Sequence, residues 1–327
     1  MRNLFPMAAA AASFMIMSCT KSNVPVPEEG LTGEKVELHV GLEGMARNTK
    51  TTSTAGETKI NSLQVFLFRQ DGDLDAYGKA ESGSVKVSTT TGMKDIYALV
   101  NAPDLSTVSK KEELLASVSE LSANSLTNFE MVGNVSKEIS ASVSVTVPVK
   151  RIVARVGIDK ITNRFSSPAY QDAEFIVKRI YIVNVAGDIN YGLTTSPAKW
   201  YNPKEYKAEL PALTADEQVN KSIAYNEGMS GPHYYYCYPN PTSKDSNGGD
   251  WTPRHTRLVV EATLEGKTYY YPIDIQGIER NKTYTVTNLT ITRPGSLDPD
   301  TPVTSYECTF GIEVGDWELG FSKEDQI

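Results

Sequence analysis

Lys35-Val36-Glu37-Leu38-His39-Val40-Gly41-Leu42 places an apolar side chain at every second position. An extended strand sends alternate side chains to one face, so Val36, Leu38, Val40 and Leu42 predict a half-buried β-strand. The same period recurs along the chain. Residues 63–68 are apolar almost throughout and close on the turn pair Asp71-Gly72, and 96–100, 139–149 and 151–161 are further strand candidates. A break falls at 163–168, where polar residues and a proline interrupt the pattern. A second β set begins at 175–185 and, after an irregular region over 200–247, continues at 258–264, whose Glu265-Gly266 predicts a hairpin turn into 269–275. Residues 282–292 alternate with a slip between Val286 and Leu289. One helix is predicted: Ser109 precedes Glu112 at capping-box spacing, and Leu114, Leu115, Val118 and Leu121 share a face. The chain therefore reads as all-β sandwiches with one decorating helix.

Residues 293–305 carry Pro294, Pro299 and Pro302 and predict an extended linker. Beyond it Tyr306, Cys308, Phe310, Ile312 and Val314 alternate again, and Trp317 and Leu319 continue the apolar run. A strong strand on a linker is placed to pair outside its own domain.

At the other end, Arg2 precedes a mainly apolar run over 4–17 that is too short for a stable spanning helix and reads as a signal peptide. Ile16-Met17-Ser18-Cys19 has the form of a lipoprotein cleavage box, with an aliphatic residue, a small residue and the thiol that takes the lipid. A lipid on Cys19 supplies membrane affinity without a spanning helix. A length of 327 residues fits about two domains. A net charge of −8 with scattered Lys and Arg leaves no basic face for nucleic acid. Cys237 and Cys308 read as separate buried thiols.

The sequence shows no catalytic constellation, no cofactor motif and no metal motif. His39, His233 and His255 lack neighbouring ligands at metal spacing. Asp71, Asp73 and Asp75 begin like a calcium loop, but Ala76 and Ser82 stand where its glycine and glutamate belong, so a polar hairpin turn is expected. Ser230 lacks nucleophile-elbow spacing. The run His233-Tyr234-Tyr235-Tyr236-Cys237-Tyr238, with Trp200, Tyr201 and Trp251, fits either a core strand or an aromatic platform for a glycan. Arg47, in Gly44-Met45-Ala46-Arg47-Asn48, follows the first strand and precedes a Thr-rich stretch of low apolar content, where proteolysis concentrates.

Taken in order, these segments resemble the Bacteroidales fimbrillins, the type V pilins that include major and minor fimbrial subunits. The resemblance is carried by the box at Cys19, the strand before Arg47, Lys59-Ile60-Asn61-Ser62-Leu63-Gln64-Val65-Phe66-Leu67-Phe68, Ile96-Tyr97-Ala98-Leu99-Val100-Asn101, Phe129-Glu130-Met131-Val132-Gly133, Val149-Lys150-Arg151-Ile152-Val153-Ala154-Arg155-Val156 and Arg280-Asn281-Lys282-Thr283-Tyr284. It implies two transthyretin-like β-sandwich domains in tandem and a structural, non-enzymatic role in adhesion. Delivery to the outer membrane as a lipoprotein, then incorporation into an extracellular fimbria, is also implied. Carried onto this chain, the expected organisation is a signal peptide over 1–18, a propeptide over 19–47, sandwich domains over 48–165 and 166–293, and a linker with a donor strand over 294–327. An arginine-specific protease is expected to cut between Arg47 and Asn48 and remove Val36, Leu38, Val40 and Leu42. A neighbour's Tyr306, Cys308, Phe310, Ile312, Val314 and Trp317 would then fill the vacated groove. The implied partners are copies of this chain or related subunits and a host or bacterial surface receptor. A fimbrial anchor or tip subunit, or a surface glycan-binding lipoprotein, are the alternative readings.

Overall fold

A computed structural model describes residues 33–43, 55–194, 196–202, 212–216, 219–243, 245 and 252–317. Cys19, Arg47, Asn48, Trp251 and Leu319 lie outside the described residues. The first half comprises β1 (Lys35–Glu43), β2 (Leu63–Phe68), β3 (Leu74–Ala80), β4 (Ser84–Thr90), β5 (Gly92–Val100), α1 (Lys111–Ala116), β6 (Val118–Glu120), β7 (Met131–Ile139), β8 (Val143–Pro148) and β9 (Lys150–Arg151). A three-stranded sheet of order β4-β1-β8 packs on a five-stranded sheet of order β3-β2-β5-β7-β9. β2 shows why its sequence is apolar at every position but Gln64. Leu63, Val65 and Leu67 face the core shared with β1, while Phe66 and Phe68 face a second core on the other side of the sheet. Gly133 in β7 is required by close approach: a Cβ there would lie 1.9 Å from the Pro148 carbonyl oxygen.

The second half holds β10 (Ala154–Asn163), β11 (Phe175–Val183), β12 (Val185–Ala186), β13 (Asp188–Asn190), β14 (Trp200–Tyr201), β15 (Ala215–Asp216), β16 (Lys221–Ser222), β17 (Gly228–Cys237), β18 (Thr256–Leu264), β19 (Lys267–Ile275), β20 (Lys282–Val286), β21 (Leu289–Ile291), β22 (Cys308–Thr309) and β23 (Ile312–Asp316). β10 is central, with β17 along one edge and β20 then β21 along the other. This sheet packs on one built from β15, β11, β18 and β19, with β16 also on β11. The second core is continuous from Phe66 and Phe68 to the residues between these sheets, and the β6–β13 pair also joins the halves.

Four expectations change. The strand at 154–163, expected in the domain ending at 165, pairs among the described residues with β17, β20 and β21 of the second half. Helix α1 ends at Ala116, and Val118 lies in β6, because pairing with β13 replaces the next helical turn. Its capping glutamate is Glu113, which accepts from the Ser109 and Lys110 N–H groups, and not Glu112. The Pro-rich segment after Arg293 is docked: Ser296 exchanges both backbone hydrogen bonds with Tyr270, and the buried Asp300 carboxylate receives Arg254 and Asn184 at 2.8 and 2.7 Å and also pairs with Arg257. Within 200–247, residues 228–237 form a long strand that carries the tyrosine run.

Candidate functional site

β1 occupies the middle of its sheet, antiparallel to β4 and parallel to β8. Leu38 stands opposite Val87 and Val143, and Val40 opposite Val85 and Val145. Leu38, Val40 and Leu42 are fully buried and Val36 half-buried, while Glu37 and His39 face water, as the alternation predicts. At about 1.5–3 kcal/mol per side chain, these three aliphatics contribute on the order of 5–9 kcal/mol. Without β1, the inward rows of β4 and β8 would flank an apolar groove and two lines of unpaired backbone groups, a ready template for another strand. The wall formed by β4 was missed in the sequence; its signal is the period-two pair Val85 and Val87.

The alternation after 305 resolves into two pieces. β22 pairs with β21, the chain breaks at Phe310-Gly311, and β23 lies antiparallel on β20 as the outer strand of its sheet. The expected donor face is split. Tyr306, Phe310, Ile312 and Val314 are 62, 39, 37 and 58% exposed, whereas Cys308 and Trp317 are buried in the chain's own core. A tail wholly outside that core is therefore not what the structure shows, and the reason is the pocket that receives Trp317.

That pocket is built by residues far apart in sequence. The indole packs on Phe129 and Tyr236 at centroid distances of 5.5 and 5.4 Å, with the Arg151 guanidinium 4.1 Å from its ring centre. The Trp317 N–H donates to the Asn281 carbonyl at 3.0 Å, and Arg151 Nη1 donates to the Trp317 carbonyl at 2.9 Å. Arg151 Nε and Nη2 both donate to the Glu57 carbonyl, and Arg155 Nη1 holds both Glu57 carboxylate oxygens at 3.1 Å. Burial pushes the Arg151 pKa down to about 9. The low apolar content of 48–59 predicts an exposed loop, yet Glu57 is fully buried. The visible signal was the arginine pair 151 and 155 inside an apolar strand run, which demanded partners.

The remaining candidates take structural places. Asp71 and Asp73 form the expected polar turn with Arg69, and Asp73 also pairs with Lys110 at 2.6 Å. Tyr235, Tyr236, Tyr238, Trp200 and Tyr201 are buried, which favours the core reading of the aromatic run. Burial raises the Cys237 and Cys308 thiols to about 12, and the two are unbonded. Among the described residues, Asp245, His255 and Asp274 bring ligand-type atoms within 4.8 Å of one another, a grouping that no sequence spacing marks. Arg257 Nε lies 2.9 Å from Asp274 and the same guanidinium pairs with Asp245, so a cation already balances both carboxylates.

Residues 35–150 match the family model described as major fimbrial subunit protein (FimA). The fold is similar to that of a candidate cell-adhesion protein from Bacteroides eggerthii, at 21% identity and a TM-score of 0.66 over 89% of this chain and 98% of that one. It is also similar to a fimbrilin (FimA) from Porphyromonas gingivalis, at 16% identity and a TM-score of 0.61 over 86 and 98% of the two chains. The tip fimbrial protein Mfa3 of the same organism, truncated at its C-terminus, gives 13% identity and a TM-score of 0.54 over 87 and 100%. No curated protein sequence matches the chain. The resemblance to fimbrillins, read first from ordered sequence segments, thus has a family-model match over residues 35–150, and the solved structures share the fold over most of the chain.

Proposed function

We propose that this chain is a polymerising subunit of a cell-surface fimbria, exported as a lipoprotein on Cys19 and activated by cleavage after Arg47. Loss of β1 opens the groove between β4 and β8, and the C-terminal strand of the next subunit fills it. The observation that carries this reading is a matched pair of strands. β1 buries Leu38, Val40 and Leu42 on one face, and the terminal strand holds Phe310, Ile312 and Val314 at the same two-residue spacing but partly in water. An edge strand that keeps apolar side chains exposed is unfavourable in a monomer and favourable in a joint between subunits. The fimbrial family match over 35–150 spans β1, both groove walls and the sheet behind them. The partners are further copies of this chain or related subunits, an arginine-specific protease and, through the finished fibre, a surface receptor.

The test is Ile312→Asp. Ile312 lies outside the monomer's core, so the processed variant folds with the parental circular dichroism spectrum. A carboxylate driven into the middle of the groove abolishes fibres seen by electron microscopy. Fibres of normal length from Ile312→Asp would refute the strand assignment. Deleting 306–327 is a poorer test, because it also strips Trp317 from the monomer's own pocket.

A further inference from the structure

We propose that Trp317 is a latch that holds the C-terminal strand on its own subunit until β1 has gone, with Arg151 as its keeper; this rests on the donor-strand reading above. Between Phe310 and Trp317 the strand is held by backbone pairing to β20 and by the exposed Lys282–Asp316 ion pair at 2.6 Å, while its apolar side chains are exposed. Trp317 is the exception. It fills an aromatic pocket, its N–H and C=O are both bonded, and a guanidinium covers its ring.

The grip is strong but incomplete. Among the described residues Trp317 Nε1 is buried without an acceptor, and a buried indole N–H left unbonded favours release. A contact meant only to complete the core would gain from an acceptor there; a contact that must open does not.

The latch is also joined to the groove. The Val149 N–H donates to the carbonyl of Glu43, the last residue of β1, at 3.1 Å. Two residues later stands Arg151, whose guanidinium spans the carbonyls of Glu57 and Trp317. Removing β1 deletes the acceptor for Val149 at the entry to the strand that positions this guanidinium. Opening the acceptor groove thereby loosens the donor strand of the same molecule. Uncleaved subunits keep their terminal strand at home, and a subunit becomes able to give a strand when it becomes able to receive one.

Amide exchange over 312–316 tests this on the uncleaved chain. Trp317→Ala and, as a second variant that leaves the pocket aromatics in place, Arg151→Met should each accelerate exchange there at least about tenfold, with β2 and β5 keeping parental protection as proof of folding. Cleavage of the parental chain should accelerate the same amides, and cleaved latch variants should form ladders faster than cleaved parent. Parental exchange over 312–316 in both variants, or faster exchange with ladders at the parental rate, would overturn the latch. Equal exchange before and after cleavage of the parent would overturn its link to β1. Ile312→Asp separates the two readings: fibres from that variant remove the donor strand itself, whereas blocked assembly with indifferent latch variants removes only the latch.

Discussion

Glu130 is a carboxylic acid in the core. It is 1% exposed, its Oε2 accepts from the Tyr191 hydroxyl at 2.6 Å, and its Oε1 has no partner among the described residues. Burial raises its pKa above the ordinary carboxylate value, against the smaller opposing effect of the Tyr191 and Ser119 hydroxyls. The folded chain thus holds this proton more tightly than the unfolded chain does. The stability it contributes is complete below the unfolded carboxyl pKa and is lost as pH rises through the raised folded value. Glu130→Gln preserves shape and the acceptor for Tyr191 but removes the titration. Thermal unfolding from about pH 4 to pH 8 should show a flatter profile for Glu130→Gln, with the variant the more stable at the alkaline end; parallel curves would contradict the assignment. Sequence alone marks Glu130 only as one residue of a motif. The same holds for Glu57, whose bonds to Arg151 and Arg155 span 94 and 98 positions. Distant polar pairing has no local period, which is why the strands were legible and these partners were not.

Among the elements, those with strict alternation or an apolar run were legible to within a few residues. β2 falls at 63–68 as read, and the Glu265-Gly266 turn has the two positive φ values, 51° and 79°, that such a hairpin needs. The slip read between Val286 and Leu289 is the gap between β20 and β21. The helix was over-read because Val118 and Leu121 fit a helical face, whereas Val118 pairs with β13 and Leu121 opens a separate 3-10 turn. The terminal strand was read as one face because Cys308 keeps its two-residue period and Trp317 continues its apolar run; burial separates both from their neighbours. β1 itself gives a sharp prediction. Leu38→Ala deletes fully buried methyl groups and should lower the stability of the uncleaved chain by about 2–5 kcal/mol in urea unfolding. On the proposed processing the cleaved subunit lacks that strand and should unfold as the parental cleaved subunit does. An equal loss in both forms would mean that residues 35–43 stay bound after cleavage.

Across the whole molecule, two sandwiches share a core that runs from Phe66 and Phe68 to Trp317. The tandem all-β architecture was legible in the sequence, because strand patterning stops at 163–168 and resumes at 175. The division between the halves was not, since β10 continues the apolar rhythm of the strands before it and only its partners reveal where it belongs. The docked Pro-rich segment was equally hidden, because Asp300 finds Arg254 and Arg257 from another strand region. At this scale the proposed assembly has one strand position, between β4 and β8, filled from within before cleavage and by a neighbour afterwards. Electron cryomicroscopy of the assembled fibre reads that position directly. Density is expected there for a neighbour's Phe310, Ile312 and Val314 in place of Leu38, Val40 and Leu42, with each subunit beginning at Asn48. A fibre in which the position still holds the subunit's own residues 35–43 would contradict it.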